Sequence, residues 1–272
     1  MLCPAPPVSG TGGAVDLQGT AAMTTKLSVN LNKVALLRNQ RDNGYPCVVT
    51  TARRVLRAGA HGITIHPRPD QRHIRLGDVD DLAALFASDL PEVIGAEFNI
   101  EGYPSEDFAA LVNRVRPHQV TLVPDAPGAR TSEEGWDFDT RGDELAHGLA
   151  LVRPSGARIA AFINPDPAAP SKARRLGLDR VEVYTGLYAM AWGTPAFDTT
   201  AAPHLAATAA AAEAAGIGMN AGHDLNLANL GDFLHRAPNC LEVSIGHAIT
   251  AEALDLGWDE TVRRYLDILN AG

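Results

Sequence analysis

The chain has 272 residues, 46% of them hydrophobic and 20% charged, with a net charge of -9 at pH 7. This is ordinary globular composition, long enough for one large barrel or two smaller domains. The acidic balance argues against non-specific binding to nucleic acid or anionic membrane, and no run of about 18 apolar residues is present to span a bilayer.

Residues 1–22 are rich in Gly, Pro, Ala, Ser and Thr and lack the basic start and apolar run of a signal peptide. A disordered extension is expected over 1–23, and Met23, just before the first strand, stands as an alternative start. Beyond it, short runs rich in Val and Ile alternate with Ala-, Leu- and Arg-rich stretches. Strands are expected at 26–32, 62–67, 93–99, 119–124, 158–165, 180–186, 216–222 and 240–246. Helices are expected at 48–58, 78–88, 105–116, 143–153, 168–176, 199–215, 226–236 and 259–270. Gly59, Gly177 and Gly216 directly follow helical stretches, where a left-handed backbone ends the last turn. Eight such units in about 250 residues predict an α/β fold, a (β/α)8 TIM barrel with a parallel eight-stranded sheet. No GxGxxG follows the first strand, against a Rossmann fold, and no linker divides 24–272, so one catalytic domain is expected there.

In such barrels the chemistry sits at the C-terminal ends of the strands. Here those ends carry Asn30, Asn32 and Lys33; His66 and Arg68; Glu97; Asp125; Asn164; Glu182; His223 and Asp224; and Gly246 and His247. Glu97 and Glu182 lie inside apolar runs, where a carboxylate is costly unless it is paired or protonated. With His66 and His223 from other strands they form a set suited to general acid/base work. The plainer alternatives are a Glu182 that points outward to an arginine, and histidines that serve only as structural hydrogen-bonding groups. His61 and His118 precede strands and belong to the opposite, stability face.

The turns NAGHDLNLAN and SIGHAITAEAL, after strands 7 and 8, place glycine and small residues before a helix, where free backbone N–H groups hold anions. Arg68, Arg72 and His73 form a second cationic group, and Arg41, after strand 1, is a third candidate. Two separated anion sites imply two phosphorylated substrates or one bisphosphate. The segment PDAPGARTSEEGWDFDTRGD after strand 4 is a candidate lid that would exclude water during reaction. Cys3, Cys47 and Cys240 show no CxxC or zinc spacing, which fits a reduced, cytoplasmic compartment.

The stretches VNLNKVALLRNQR, GITIHPRPDQRHI, AEFNIEG, TLVPDAPGARTSEEGWD, VEVYTGLYA, NAGHDL and SIGHAI, in that order, resemble the pyridoxine 5′-phosphate synthase family of vitamin B6 biosynthesis, over residues 26 to 270. The resemblance implies a TIM barrel without cofactor or metal. It also implies condensation of 3-amino-2-oxopropyl phosphate with 1-deoxy-D-xylulose 5-phosphate, giving pyridoxine 5′-phosphate, phosphate and water. By the same resemblance His66 and Glu97 are proton acceptors, His223 is the proton donor and Glu182 stabilises a transition state. Arg68, His73 and Thr131 would hold deoxyxylulose phosphate; Asn30, Arg41, Gly246 and His247 would hold the amino-ketone phosphate. A homo-octamer built from dimers is implied too. Two positions depart from the family pattern: Asn32-Lys33 stands where many relatives have Asp-His, and Asp224 where they often have Gly. Asn32 and Lys33 are kept as substrate-binding candidates. Asp224 is kept for its backbone alone, its carboxylate being expected to turn away and cap the next helix.

Three other readings remain open. A Schiff-base aldolase would need a strand-end lysine, and of Lys26, Lys33 and Lys172 only Lys33 is so placed. A metal-dependent hydrolase lacks a His-x-His pair on strand 1. A phosphate-binding barrel without turnover would not need residues 66, 97, 182 and 223 together.

Overall fold

Along each apolar run two kinds of residue alternate, because successive strand side chains point to opposite faces. One set is Leu27, Val29, Ile63, Ile65, Phe98, Ile100, Val120, Leu122, Ile159, Ile163, Val181, Val183, Val243 and Ile245, all buried in the main apolar core. The other set is largely polar: Ser28, Thr64, Asn99, Gln119, Thr121, Glu182, Asn220 and Glu242 are buried as well. Two buried faces of opposite character call for a closed sheet, apolar outward under helices and polar inward.

The computed structural model describes residues 25–125 and 134–271, and has that form. Among these residues eight parallel strands close into a barrel in sequence order: β1 (Lys26–Asn30), β2 (Gly62–Ile65), β3 (Glu97–Gly102), β4 (Gln119–Leu122), β5 (Arg158–Ile163), β6 (Arg180–Tyr184), β7 (Gly218–Gly222) and β8 (Cys240–Ile245). β8 pairs with β1, with Ser244 opposite Ser28, and completes the ring. The chain is a TIM barrel. The expected N-terminal extension and residues 126–133 of the expected lid lie outside the described residues.

The interior polar set identifies itself by contacts between strands that are not neighbours. Thr121 Oγ1 on β4 donates to Glu182 Oε2 on β6 at 3.2 Å. Gln119 Nε2 on β4 donates to Glu242 Oε1 on β8 at 3.3 Å, and Asn220 Nδ2 on β7 donates to Gln119 Oε1 at 3.3 Å. Such bonds can only cross the barrel. At the N-terminal end of the strands, Lys26 on β1 and Arg158 on β5 both bind Glu97 on β3. There too, His61 Nδ1 accepts the Leu27 N–H and His118 Nδ1 accepts the Phe98 N–H, each at 3.1 Å, so these two histidines cap strand starts.

Helices follow local rules. In Glu106–Val115, Ser105 Oγ accepts the Phe108 N–H at 3.2 Å and two acidic residues occupy the first turn, favourable at the positive end of the helix dipole. Ala169–Leu176 and Ala202–Ala215 end at Gly177 and Gly216, with φ of +85° and +62°. Three helices beyond the expected set start at strand ends: Asn32–Arg38, Gly186–Ala191 and His247–Leu256. The chain turns helical directly after β1 and β6, so these strands stop at Asn30 and Tyr184 instead of running to 32 and 186. No helix among the described residues is long and apolar enough to cross a membrane.

Candidate active site

A cavity of about 350 Å³ opens at the C-terminal ends of the strands. It gathers residues from the ends of all eight. Asn30, Asn32 and Lys33 come from β1 and the helix after it, His66, Arg68 and His73 from β2 and its loop, Glu182 from β6, His223 and Asp224 from the loop after β7, and Gly246 and His247 from the turn after β8. Val123 and Phe162, which with Tyr184 form a small apolar cluster, supply a dry wall.

Two expected residues are placed otherwise, and a third is not among the described residues. Glu97 is the first residue of β3, at the opposite end of the barrel, because the strand spans Glu97–Gly102 and not 93–99. Pro91–Val93 form a 3-10 turn and Ile94 is exposed, so the chain enters the sheet later than its apolar pattern suggests. Burial raises the Glu97 carboxyl, but bonds from Arg158 and Lys26 outweigh it and hold the pKa down to about 2. Arg41 is exposed on the loop before the helix Val48–Arg57 and does not line the cavity. Thr131 lies outside the described residues.

Of the acid/base groups, His66 is buried at the end of β2, its backbone N–H donating to Asn32 Oδ1 at 2.9 Å. Burial and the nearby Arg68 hold its imidazole well below the ordinary range, so it is neutral and able to accept a proton. Glu182 faces inward, not outward to a surface arginine. Burial, then the Glu242 carboxylate, push it up to about 8, against the Thr121 hydrogen bond. Gly222 opposite it is required: a Cβ there would stand 2.5 Å from Glu182 Oε1.

His223 and Asp224 both adopt positive φ, +90° and +60°, a backbone conformation that costs non-glycine residues of order 1 kcal/mol or more. The turn brings His223 Nδ1 to 2.7 Å from Asp224 Oδ2. A carboxylate can only accept, so Nδ1 carries a proton and Nε2 is left for the cavity. The His223 hydrogen bond lowers the Asp224 pKa, against burial. Asp224 therefore orients the histidine and does not cap a helix; the next one, Leu230–Arg236, starts after Asn229.

Two cationic groups flank the cavity. Arg68 Nη2 meets Asp125 Oδ2 at 2.6 Å. The backbone N–H of Ile74 donates to His73 Nδ1 at 2.9 Å, so the neutral ring presents Nε2–H. Burial, then Arg68 and Lys33, lower the His73 pKa to about 4. The His73 loop is held from behind by Arg38, whose guanidinium pairs with buried Asp78 and donates to the His73 carbonyl at 3.2 Å. On the other side Gly246 and His247 begin the helix His247–Leu256, whose free N–H groups border the cavity beside Lys33. After β7 the chain instead runs through a loop to Leu230, so only one of the two expected glycine turns leads straight into a helix.

Sequence reasoning missed Glu101 and Ser244. Both line the cavity, and Glu101 Oε2 lies 3.8 Å from His66 Nδ1. The Ser244 hydroxyl is buried without a hydrogen-bond partner among the described residues, a polar atom available to a ligand. The visible signal for Glu101 was a second glutamate four residues after Glu97 on the same strand face.

With this geometry in view, the chain resembles known proteins over nearly its whole length. It is 50% identical over 247 residues to the pyridoxine 5′-phosphate synthase of Brucella anthropi, covering 91% of this chain and 100% of that one. It is 48% identical over 251 residues to the protein of the same name from Chelativorans sp., covering 92% and 100%. A solved structure of tryptophan synthase from M. tuberculosis superposes with a TM-score of 0.61 at 11% identity, covering 93% of this chain and 95% of that one, a likeness of fold alone. The family described as "Pyridoxal phosphate biosynthesis protein PdxJ" matches residues 27–271, and the chain belongs to this family of vitamin B6 biosynthetic enzymes.

Proposed function

We propose that the chain condenses 3-amino-2-oxopropyl phosphate with 1-deoxy-D-xylulose 5-phosphate to form pyridoxine 5′-phosphate, releasing phosphate and water. The observation that carries this reading is one cavity in which neutral His66, raised Glu182 and Asp224-oriented His223 lie between two anion-binding groups. Imine formation, dehydration and ring closure are successive proton transfers, and two phosphates give the site two handles with which to align the reacting carbons.

In this reading His66 accepts protons, His223 donates them through Nε2 from its doubly protonated form with Asp224 balancing the charge, and Glu182, protonated by burial, stabilises a transition state as a hydrogen-bond donor. Arg68 and His73 take the sugar phosphate, with Asp125 occupying Arg68 until a phosphate arrives. Gly246 and His247 take the amino-ketone phosphate at the helix N-terminus, with Asn30 and Lys33 beside them. Asn32 acts by holding the His66 backbone. The reading includes a cytoplasmic homo-oligomer, an octamer by family resemblance, which light scattering would measure.

The test is to mix both substrates with purified protein and follow pyridoxine 5′-phosphate by chromatography and mass. Product is expected. Folded protein that forms none refutes the reading, and a borohydride-trapped adduct on Lys33, the lysine that lines the cavity, would move it to the Schiff-base aldolase class.

A further inference from the structure

Inward side chains at the cavity floor form a hydrogen-bonded belt. Ser28 Oγ meets Thr64 Oγ1 at 2.7 Å, and Asn99 Nδ2 donates to Thr64 Oγ1 at 3.3 Å. Thr121 Oγ1 reaches Asn99 Oδ1 and Glu182 Oε2, each at 3.2 Å. The belt thus runs from β1 across β2, β3 and β4 to β6. It stops at Gly222 on β7, which has no side chain, and at Ser244 on β8, which lies in register with both Gly222 and Ser28. Ser244 is 5% exposed and lines the cavity, and its hydroxyl has no hydrogen-bond partner among the described residues. A buried hydroxyl without a partner is costly, so in an otherwise satisfied belt it marks the place of a ligand atom.

We propose that Ser244 is a substrate-binding residue, donating its hydroxyl hydrogen to the ketone oxygen of 3-amino-2-oxopropyl phosphate while the phosphate rests on the helix that starts at His247. The proposal deepens the synthase reading above and rests on it.

Position selects the substrate. Gly246, which opens the turn into the helix His247–Leu256, stands two residues beyond Ser244, roughly 7 Å along the strand. In the amino-ketone the ketone oxygen can stand about 4–5 Å from phosphorus, so one hydrogen bond at each end spans that interval. Arg68 and His73, the handle for the sugar phosphate, come from β2 and its loop, two strands further round the rim. The amine must point that way to meet the sugar carbonyl, which leaves the ketone oxygen turned to β8. A ketone oxygen only accepts hydrogen bonds, and a serine hydroxyl can donate one. With no partner to hold it, the Ser244 side chain can turn between staggered rotamers to meet the ligand. The corner is kept open by missing side chains: a Cβ on Gly222 would stand 3.1 Å from the Ser244 carbonyl oxygen, and one on Gly246 would stand 3.1 Å from Asn30 Cβ.

The experiment compares the full-length parent with Ser244→Ala. Titration calorimetry uses three probes: 3-amino-2-oxopropyl phosphate, 3-aminopropyl phosphate, which lacks the ketone oxygen, and inorganic phosphate. Tm and steady-state kinetics accompany it. Ser244→Ala is expected to weaken binding of 3-amino-2-oxopropyl phosphate about tenfold and to leave the other two probes within about twofold. KM for the amino-ketone should rise by a similar factor, with KM for the sugar phosphate unchanged. Tm should hold or rise, because the hydroxyl removed has no partner in the free protein, a result that a structural serine would not give. Unaltered affinity for 3-amino-2-oxopropyl phosphate, an equal loss for 3-aminopropyl phosphate, a Tm several degrees lower or a variant that does not fold overturns the proposal. Any of these with an active parent sinks only this assignment; a parent that forms no pyridoxine 5′-phosphate sinks the synthase reading and this role with it.

Discussion

Gly222→Ala tests the inward geometry of the site most directly. The added Cβ would lie 2.5 Å from Glu182 Oε1 and 3.1 Å from the Ser244 carbonyl oxygen. An ordinary carbon–oxygen contact needs about 3.3 Å, so the Glu182 carboxylate must retreat by about 0.8 Å. Backbone lies behind the other contact and the surroundings are fully packed, so part of the overlap remains as strain. Overpacking of this kind costs about 1–3 kcal/mol, which for a chain of this size lowers Tm by roughly 2–10 °C. A displacement approaching 1 Å of a group that acts in the transition state costs up to about 10²-fold in rate. The expected result is therefore a kcat 10- to 100-fold lower, with KM less affected. Shortening the neighbour separates the two effects. Gly222→Ala combined with Glu182→Asp should regain most of the lost Tm and none of the lost kcat, a positive coupling in stability alone. Steady-state kinetics and calorimetry on the two single variants and the double variant suffice. If Gly222→Ala keeps both kcat and Tm, the carboxylate does not face Gly222 and the arrangement described is wrong.

Glu182 also gives a pH signature. Its folded pKa is raised to about 8 from 4.5, so its contribution to stability is fully present below 4.5 and lost as pH rises toward 8. Glu182→Gln removes this loss; its Tm relative to the parent should climb between pH 5 and pH 8, and a falling difference would contradict the burial of this group. Asp224→Asn weakens the bond that sets the His223 tautomer. Because Asp224 is 38% exposed the effect is discounted for solvent to about 1 kcal/mol, or roughly fivefold in kcat, and an unchanged rate would remove its orienting role. Arg38→Met strands the buried Asp78 carboxylate and frees the His73 loop. A loss of about 3 kcal/mol by urea unfolding is expected, with a higher KM for the sugar phosphate only; equal KM changes for both substrates would detach the loop from that subsite.

The barrel was legible because eight Val/Ile runs are separated by helical stretches of the right length, and glycines at 59, 177 and 216 mark helix ends. The place of His66 in the cavity was legible because β2 ends abruptly against polar residues, so the strand boundary and the cavity rim coincide. Glu97 misled because the apolar pattern begins at Val93, before the strand does, and a strand drawn too early carries Glu97, the true first residue, toward the wrong rim. Local pattern has no term for where a turn releases the chain into a sheet. Contacts between distant strands, such as Thr121 with Glu182 or Arg68 with Asp125, leave no local trace at all. Nor does the sequence reveal that His223 and Asp224 share a left-handed turn, since neither is glycine.

The polar interior of the barrel has a role in how the strands find their places. An outer face of Val, Ile and Leu would tolerate a strand sliding by two residues, because the same kind of side chain would still meet the helices. The inner face would not. A two-residue slip of β3 would carry Glu97 away from Arg158 and Lys26 and leave Asn99 without Thr121. The same slip of β4 would take Gln119 from both Glu242 and Arg158. Each misalignment would bury a charge or an amide with nothing to bind, a penalty of several kcal/mol. The greasy exterior drives the sheet to close, and the hydrophilic axis makes a single alignment of the eight strands the one that can close without loss.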